Sequence, residues 1–440
     1  MSFSAESPRY VSTRNEKKVV SFREALLSGL APDGGLYVPT FIPHVPEAAW
    51  RDASSIAELG ARVLPFWLGG EVPEWDVMAI TADALNFDAP VVRLGQGAWM
   101  DTYVLELFHG PTLSFKDFGA RTMARLMNYF LQDQEEPLTI LVATSGDTGS
   151  AVADGFAGQD KIRVVLLYPQ GQVSPIQERQ LIAKRSGVKA LAVQGTFDDC
   201  QRMVKEAFVD PDLAHIPLSS ANSINIARLL PQMLYYFWGY QRLNIPSTHF
   251  CVPSGNLGNL TGGILAVLSG LPVPRFIAAH NANDFFPRHL AEGWMKFQPS
   301  VRTRSNAMDV GVPSNFERLQ YLLQGEEMRR RIWGTSVTDA ETLATMRRVY
   351  EETDYVADPH TAVGLEAAQR FRRDSGEEAP IIVLSTAHPA KFPETVQEAL
   401  GIEPPMPERL SRLWQEDTSV EVTAPTLEAL KEHVLAHVRV

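Results

Sequence analysis

The chain has 440 residues, of which 45% are hydrophobic and 21% charged, with a formal net charge of −12. These values describe an ordinary globular protein of two or three domains, and an acidic balance without any dense Lys/Arg run excludes a general nucleic-acid binder. A disulfide scaffold is excluded by a complement of only Cys200 and Cys251, a membrane span by the lack of a long apolar run and a signal peptide by the polar residues 1–10, so a cytoplasmic protein is expected.

Residues 1–90 read as a separate, mostly helical extension. Tyr10–Ser12 is a strand candidate, 21–28 a helix, and Pro32-Asp33-Gly34-Gly35 a strong turn leading into the extended piece 36–39. Segments 52–68 and 72–85 carry apolar residues at helical spacing and read as packing helices. A boundary near Pro90 follows, because the pattern then changes to short apolar runs such as 103–108, which read as strands. Beyond it, buried strands at 138–143, 162–168, 188–193, 250–253, 275–280 and 381–384 alternate with helices at 120–130, 174–186, 197–208, 224–242, 339–353 and 362–374. Such alternation is the signature of α/β parallel sheets with helices on both faces. In these sheets ligands bind where strand carboxyl ends meet helix N-termini.

Five loops carry the chemistry. In Phe108-His109-Gly110-Pro111-Thr112-Leu113-Ser114-Phe115-Lys116-Asp117-Phe118-Gly119, Lys116 lies among three phenylalanines just before a helix. Poor solvation disfavours its ammonium form and makes the neutral amine available as nucleophile or base; the plain alternative is a surface lysine whose stem lies on the aromatics. Thr144-Ser145-Gly146-Asp147-Thr148-Gly149 offers hydroxyls and backbone N–H groups suited to a carboxylate, or a capped helix start. An ionised Asp147 would repel an anion, so it reads as facing a phenol, an amide or the backbone. Asn222 and Ser223 with Arg228 form either a second anion site or an N-cap cluster beside a solvated arginine.

The loop Ser254-Gly255-Asn256-Leu257-Gly258-Asn259 between a strand and a helix suits a phosphate, or is simply a tight turn. It is neither a dinucleotide fingerprint nor a Walker loop. In the last stretch, Ser385 to Phe392, the Thr386 hydroxyl can bond a ring nitrogen without bringing a charge, and Lys391 can add positive potential for an anionic ligand. His433 and His437, four apart on a helix with no acidic partner, read as a solvated face, and no metal site is expected.

In this order the five stretches resemble the threonine synthase family, over about residues 10–400 and in the longer form of bacteria and fungi, for which the 32–39 turn is typical. The resemblance implies a tryptophan-synthase-β-like (fold type II) α/β architecture. A small domain, 126–214, would be inserted into a large one, 91–125 with 215–440, behind the extension 1–90. It implies pyridoxal 5'-phosphate between the domains. Lys116 matches the lysine that holds that cofactor, and Gly255, Asn256, Leu257, Gly258 and Asn259 match the loop at its phosphate, with Leu257 where the family commonly has an aromatic. Thr386 matches the hydroxyl near the pyridine nitrogen and Asp147 the position near the phenolic oxygen, where related shorter enzymes carry Asn.

Ser145, Gly146 and Thr148 match the loop at the substrate carboxylate, and Asn222, Ser223 and Arg228 match residues at the substrate phosphate. The implied activity is that of a lyase converting O-phospho-L-homoserine and water to L-threonine and phosphate, the last step of threonine biosynthesis, in a monomer or homodimer without nucleic-acid or membrane partners. The alternatives are a serine/threonine dehydratase or phospholyase, which would not need the 222–228 cluster, and a non-catalytic ligand-binding protein, which would not need Lys116.

Overall fold

The longest apolar runs become the interior strands, as the chain's computed structural model shows for residues 7–438; residues 1–6 of the polar N-terminal stretch lie outside the described residues. In chain order the strands are β1 (Tyr10–Ser12), β2 (Asn15–Val20), β3 (Tyr37–Pro39), β4 (Val91–Arg93), β5 (Thr102–Glu106), β6 (Leu138–Ala143), β7 (Ile162–Pro169), β8 (Val188–Val193), β9 (Leu218–Ser219), β10 (His249–Pro253), β11 (Phe276–His280), β12 (Ile332–Ser336), β13 (Ile381–Ser385) and β14 (Glu421–Thr423). They form three sheets, ordered β2-β1-β3, β12-β11-β10-β13-β5-β4 and β14-β8-β7-β6-β9. Pairing in the two larger sheets is parallel except at the edge strand β4. Helices cover both faces of a parallel sheet, so β6 and β10 are buried at every position and read as unbroken apolar runs.

The expected helical extension also contains a small antiparallel sheet. Its strand β2 escapes a hydrophobic reading because all its residues but Val20 are exposed. Lys17 and Lys18 on that edge discourage pairing with another chain. Pro65 lacks the N–H a continuous 52–68 helix would need, and the chain forms the helix Ile56–Val63 followed by a 3₁₀ turn, Leu64–Phe66. The 174–186 helix stops at Ile182, where Ala183 bridges Thr418 and Lys184 N donates to Asp417 O at 2.8 Å. Both departures come from neighbours or ring geometry that periodicity does not register.

Strands β9 and β14 fall within the range 215–440 expected for the large domain, yet both pair into the five-stranded sheet. Covering the free edge of β8 satisfies its row of backbone groups. The last helix follows, burying Leu430 and Val434 against Leu141, Val165 and Leu191. His433 is therefore not on a solvated face: its Nδ1 lies 3.0 Å from Glu421 Oε2, while His437 Nε2 lies 3.3 Å from Gly187 O. Among the described residues no helix is long and apolar enough to cross a membrane.

The helix Ile226–Leu243 runs through the centre, buried from Ile226 to Tyr240. It fixes Asn259 at the start of the neighbouring helix Gly258–Leu268, because the hydroxyls of Tyr235 and Tyr236 both donate to Asn259 Oδ1, at 2.6 and 2.7 Å. With its oxygen held by two phenols, the Asn259 side chain turns its NH₂ the other way.

Candidate active site

The carboxyl ends of β6, β10 and β13 open onto one cavity of about 490 Å³ between the two larger sheets. Lys116, Ser145, Asp147, Thr148, Asn222, Ser223, Arg228, residues 255–259 and Thr386 all line it, and of the expected residues only Gly146 does not. The helices Lys116–Leu131, Asp147–Phe156 and Gly258–Leu268 all begin at its wall. Each helix N-terminus adds about half a positive charge and unpaired N–H groups, so the cavity favours anions.

Lys116 is the first residue of its helix, and its Nζ lies 5.4 Å from the Phe115 ring centroid. Burial pushes its ammonium down to about 8, against the attraction of Asp147 and with the help of the charges of Lys391 and Arg228. The neutral amine that nucleophilic or base chemistry requires is thus far more accessible near physiological pH than in an ordinary lysine, although the ammonium form still predominates. The surface-lysine alternative is removed by this setting: the side chain is partly buried and its open part belongs to the cavity wall.

Asp147 has a partner the sequence did not suggest. Its Oδ1 lies 2.7 Å from Lys391 Nζ and accepts from Gln177 Nε2 at 3.0 Å, while Lys391 Nζ also donates to Thr112 O at 3.0 Å. Burial alone would raise the Asp147 carboxyl, but the charges of Lys391 and Lys116 and these hydrogen bonds outweigh it and hold the group below its ordinary range. Lys391, wholly buried, is therefore ion-paired with Asp147, which offsets much of the positive potential expected of it, although its charge is still felt at Lys116. The cavity's unpaired cations are Lys116 and Arg228 among the described residues lining it.

Two groups of donors remain for ligands. Arg228 is 2% exposed and charged, burial lowering its guanidinium only to about 10. One of its Nη atoms donates to Ala221 O, whereas Nε, fully buried, has no partner. The solvated-arginine alternative is thereby excluded. Asn259 Nδ2 is likewise buried and unpartnered, at the start of the glycine loop. Ser223 Oγ accepts from Asn256 Nδ2 at 2.8 Å and from Asn315 Nδ2 at 3.1 Å, which leaves its proton for another acceptor.

Thr144 is withdrawn from the hydroxyl set, since its Oγ1 accepts from Gly146 N at 3.1 Å and Gly149 N at 2.8 Å. Ser145 and Thr148 stay on the wall.

Two glycines are required by geometry. Gly146 has φ +138°, and a Cβ there would lie 2.6 Å from the Gln177 side chain. A Cβ on Gly255 would lie 2.8 Å from Met308 Cα, so the glycine loop passes directly against another backbone segment. Leu257 adopts φ +61° with its side chain 1% exposed in the core. A left-handed leucine costs about 1–2 kcal/mol, and its burial together with the turn holds it there.

Sequence reasoning missed the segment behind that contact. Residues 297–300 and 307–312 line the cavity although they carry little regular structure. They are tied down by Asp309, which accepts from Thr303 Oγ1 at 2.7 Å and Asn281 Nδ2 at 2.9 Å, and by His360, whose Nε2 accepts from Ala307 N at 3.1 Å. The opposite ring nitrogen, 2.7 Å from Asp358 Oδ1, then carries the proton. The signal available was the polar, turn-rich run ending in Val312-Pro313-Ser314-Asn315 before a helix.

The comparisons with known proteins agree with this geometry. Residues 87–387 match the family model described as pyridoxal-phosphate dependent enzyme, so the fold and cavity are those of a fold-type II enzyme that uses pyridoxal phosphate. Residues 9–85 match the threonine synthase N terminus and 361–434 the threonine synthase C-terminal model. The threonine synthase of Serratia marcescens is 42% identical over 411 residues, covering 90% of this chain and 92% of the relative.

Among solved structures, the pyridoxal-phosphate-bound threonine synthase from Brucella melitensis superposes with a TM-score of 0.90 at 38% identity, covering 99% of this chain and 100% of its own. The yeast threonine synthase does so at 0.89 and 32%, covering 99% of each chain. The chain belongs to the threonine synthase family, within the pyridoxal-phosphate-dependent lyases. The residues present fit the cofactor: a lysine of lowered pKa, a glycine loop at a helix N-terminus with the orphaned Asn259 Nδ2, and the uncharged hydroxyl of Thr386 share one cavity.

Proposed function

We propose that the substrate is O-phospho-L-homoserine and that the chain converts it with water to L-threonine and phosphate. The observation that carries this reading is that one cavity holds two separate groups of buried donors without partners, Asn259 at the glycine loop and Arg228 near Asn222 and Ser223. A cofactor phosphate and a substrate phosphate together call for both. In this reading residues 255–259 hold the cofactor phosphate, Thr386 meets the ring nitrogen, and Asp147, kept ionised by Lys391, faces the phenolic oxygen.

The bound cofactor supplies an electron sink for carbanion chemistry at the substrate's Cα and Cβ. Ser145 and Thr148, with the loop glycine Gly146 shaping the backbone, orient the substrate carboxylate. Lys116 Nζ takes the Cα proton and then a Cβ proton. Arg228, Asn222 and Ser223 hold the phosphate as it departs from Cγ, and water adds at Cβ. Protons return to Cγ, which becomes a methyl group, and to Cα once the water's hydroxyl has added at Cβ and its proton has been released. Two protons are thus removed and two returned, and water is consumed as phosphate is released. The working unit proposed is a monomer or homodimer. The two buried, unpaired cysteines fit a cytoplasmic setting. For the domains we propose 1–90, a small domain of 126–214 joined by β9 and β14, and a large domain from the remainder.

Product analysis tests this reading. The loaded protein on O-phospho-L-homoserine is expected to give threonine and phosphate in equal amounts. Phosphate accompanied by 2-oxobutanoate and ammonia, or no phosphate, would contradict it.

A further inference from the structure

Arg318 lies outside the cavity lining, fully buried on the helix Phe316–Leu322. Every hydrogen bond it makes ends on a neutral oxygen: Nε on Tyr37 O at 3.1 Å, Nη1 on Ser223 O at 3.3 Å and Asn315 Oδ1 at 2.5 Å, and Nη2 on Ile224 O at 2.8 Å. The neighbouring carboxylate, Glu317, is instead engaged by Arg14, at 2.8 Å, and by Thr13. A buried guanidinium without a bound counter-ion is costly for stability alone. It therefore calls for a role in the site it backs.

The geometry supplies that role through Asn315, which is also fully buried. Arg318 can only donate, so it must face the Asn315 oxygen, and the Asn315 NH₂ is thereby turned toward Ser223 Oγ at 3.1 Å and Asn256 O at 3.2 Å. Asn256 completes the ring: its Nδ2 donates to Ser223 Oγ at 2.8 Å and its Oδ1 accepts from Ser314 N at 2.5 Å. Both acceptor positions of the Ser223 hydroxyl are filled from behind, which directs its proton to a ligand. One guanidinium thus joins the β3 end of the N-terminal sheet, the 223–224 turn and the glycine loop.

We propose that Arg318 is a positioning residue for phosphate-bearing ligands: through Asn315 it orients the Ser223 hydroxyl and the Asn256 backbone, and it places a fixed positive charge behind both. The proposal rests on the reading of Asn222, Ser223 and Arg228 as the substrate-phosphate subsite. It also makes the N-terminal sheet, through Tyr37 O, a structural part of that subsite. Lysine cannot replace this arginine, because an ammonium on a flexible stem does not reproduce a planar fork spanning four acceptors.

The test uses the cofactor-loaded protein and inorganic phosphate as the probe, with binding followed by calorimetry alongside steady-state kinetics. Arg318→Lys is expected to weaken phosphate about tenfold and to raise KM by a similar factor while kcat changes much less, in keeping with loss of well-aligned charge-assisted bonds. Asn315→Ala, which keeps the guanidinium, is expected to weaken phosphate about threefold to tenfold, and it decides the matter alone if Arg318→Lys does not fold. A purely structural arginine would lower the melting temperature without this split between KM and kcat. Wild-type phosphate affinity in both variants, with Arg228→Ala losing it, overturns the role of Arg318 and leaves the subsite reading standing. Unchanged affinity in Arg228→Ala as well overturns the subsite reading itself.

Discussion

Lys116→Ala is expected to abolish turnover. Loss of the amine proposed to transfer the proton is by itself expected to lower kcat by roughly 10²- to 10⁴-fold, and the cofactor, without the lysine proposed to hold it, should be lost on gel filtration. Both effects have one origin: a lysine whose ammonium is disfavoured by burial and held near 8, on the wall of a cavity built for anions. The same burial sets a stability trend in the cofactor-free protein. Because the folded-state value lies below the ordinary 10.5, the unfolded chain binds more protons between about 8 and 10.5, and stability from this group rises with pH across that window. The Lys116→Ala protein lacks that contribution, which denaturant titrations at several pH values would read as a shallower slope.

Lys391→Met should destabilise the fold by about 3–5 kcal/mol, because it leaves Asp147 ionised, buried and without its counter-ion. In the parent protein Asp147 is held below its ordinary value of 3.8, so the pair's contribution is complete above that pH and is lost as the pH falls through the lowered value. In the variant the dominant remaining influence is burial, which raises the carboxyl. Its stability should therefore fall as pH rises from acid toward neutral. Asp147→Asn combined with Lys391→Met removes both charges and should recover most of the loss, and unfolding midpoints of the three proteins check the sequence of effects. Equal stability of Lys391→Met and the parent at pH 7 would show that the pair does not carry the charge balance of this wall.

The loops that define the cavity were legible because each is a contiguous run at a strand end. Glycines at positions 146, 255 and 258 and the hydroxyl of Thr386 announce strand-to-helix turns with open backbone donors. Parallel strands were legible for a similar reason, being short apolar runs buried on both faces. What escaped notice depends on contacts between distant segments. Nothing local to Lys391 indicates that its charge is offset by Asp147, and β14 is too short and polar to foretell that the chain returns to the five-stranded sheet. The 297–312 segment has no period to detect, since Asp309 and His360 hold it by side-chain bonds instead of by a buried stripe. Arg318 was invisible for the opposite reason. A lone arginine beside Glu317 in a short helix reads as solvent-facing, and only the fold shows it enclosed by carbonyl oxygens.

Two lysines, Lys116 on the cavity wall and the wholly buried Lys391, compete in principle for the cofactor aldehyde, and every role proposed for the site turns on which one takes it. Borohydride reduction of the loaded protein followed by peptide mass mapping decides this directly. The pyridoxyl label is expected on Lys116, whose amine is desolvated and free of an ion pair, and not on Lys391, which is locked to Asp147 at 2.7 Å. Label on Lys391, or on any lysine outside the cavity, would contradict that assignment.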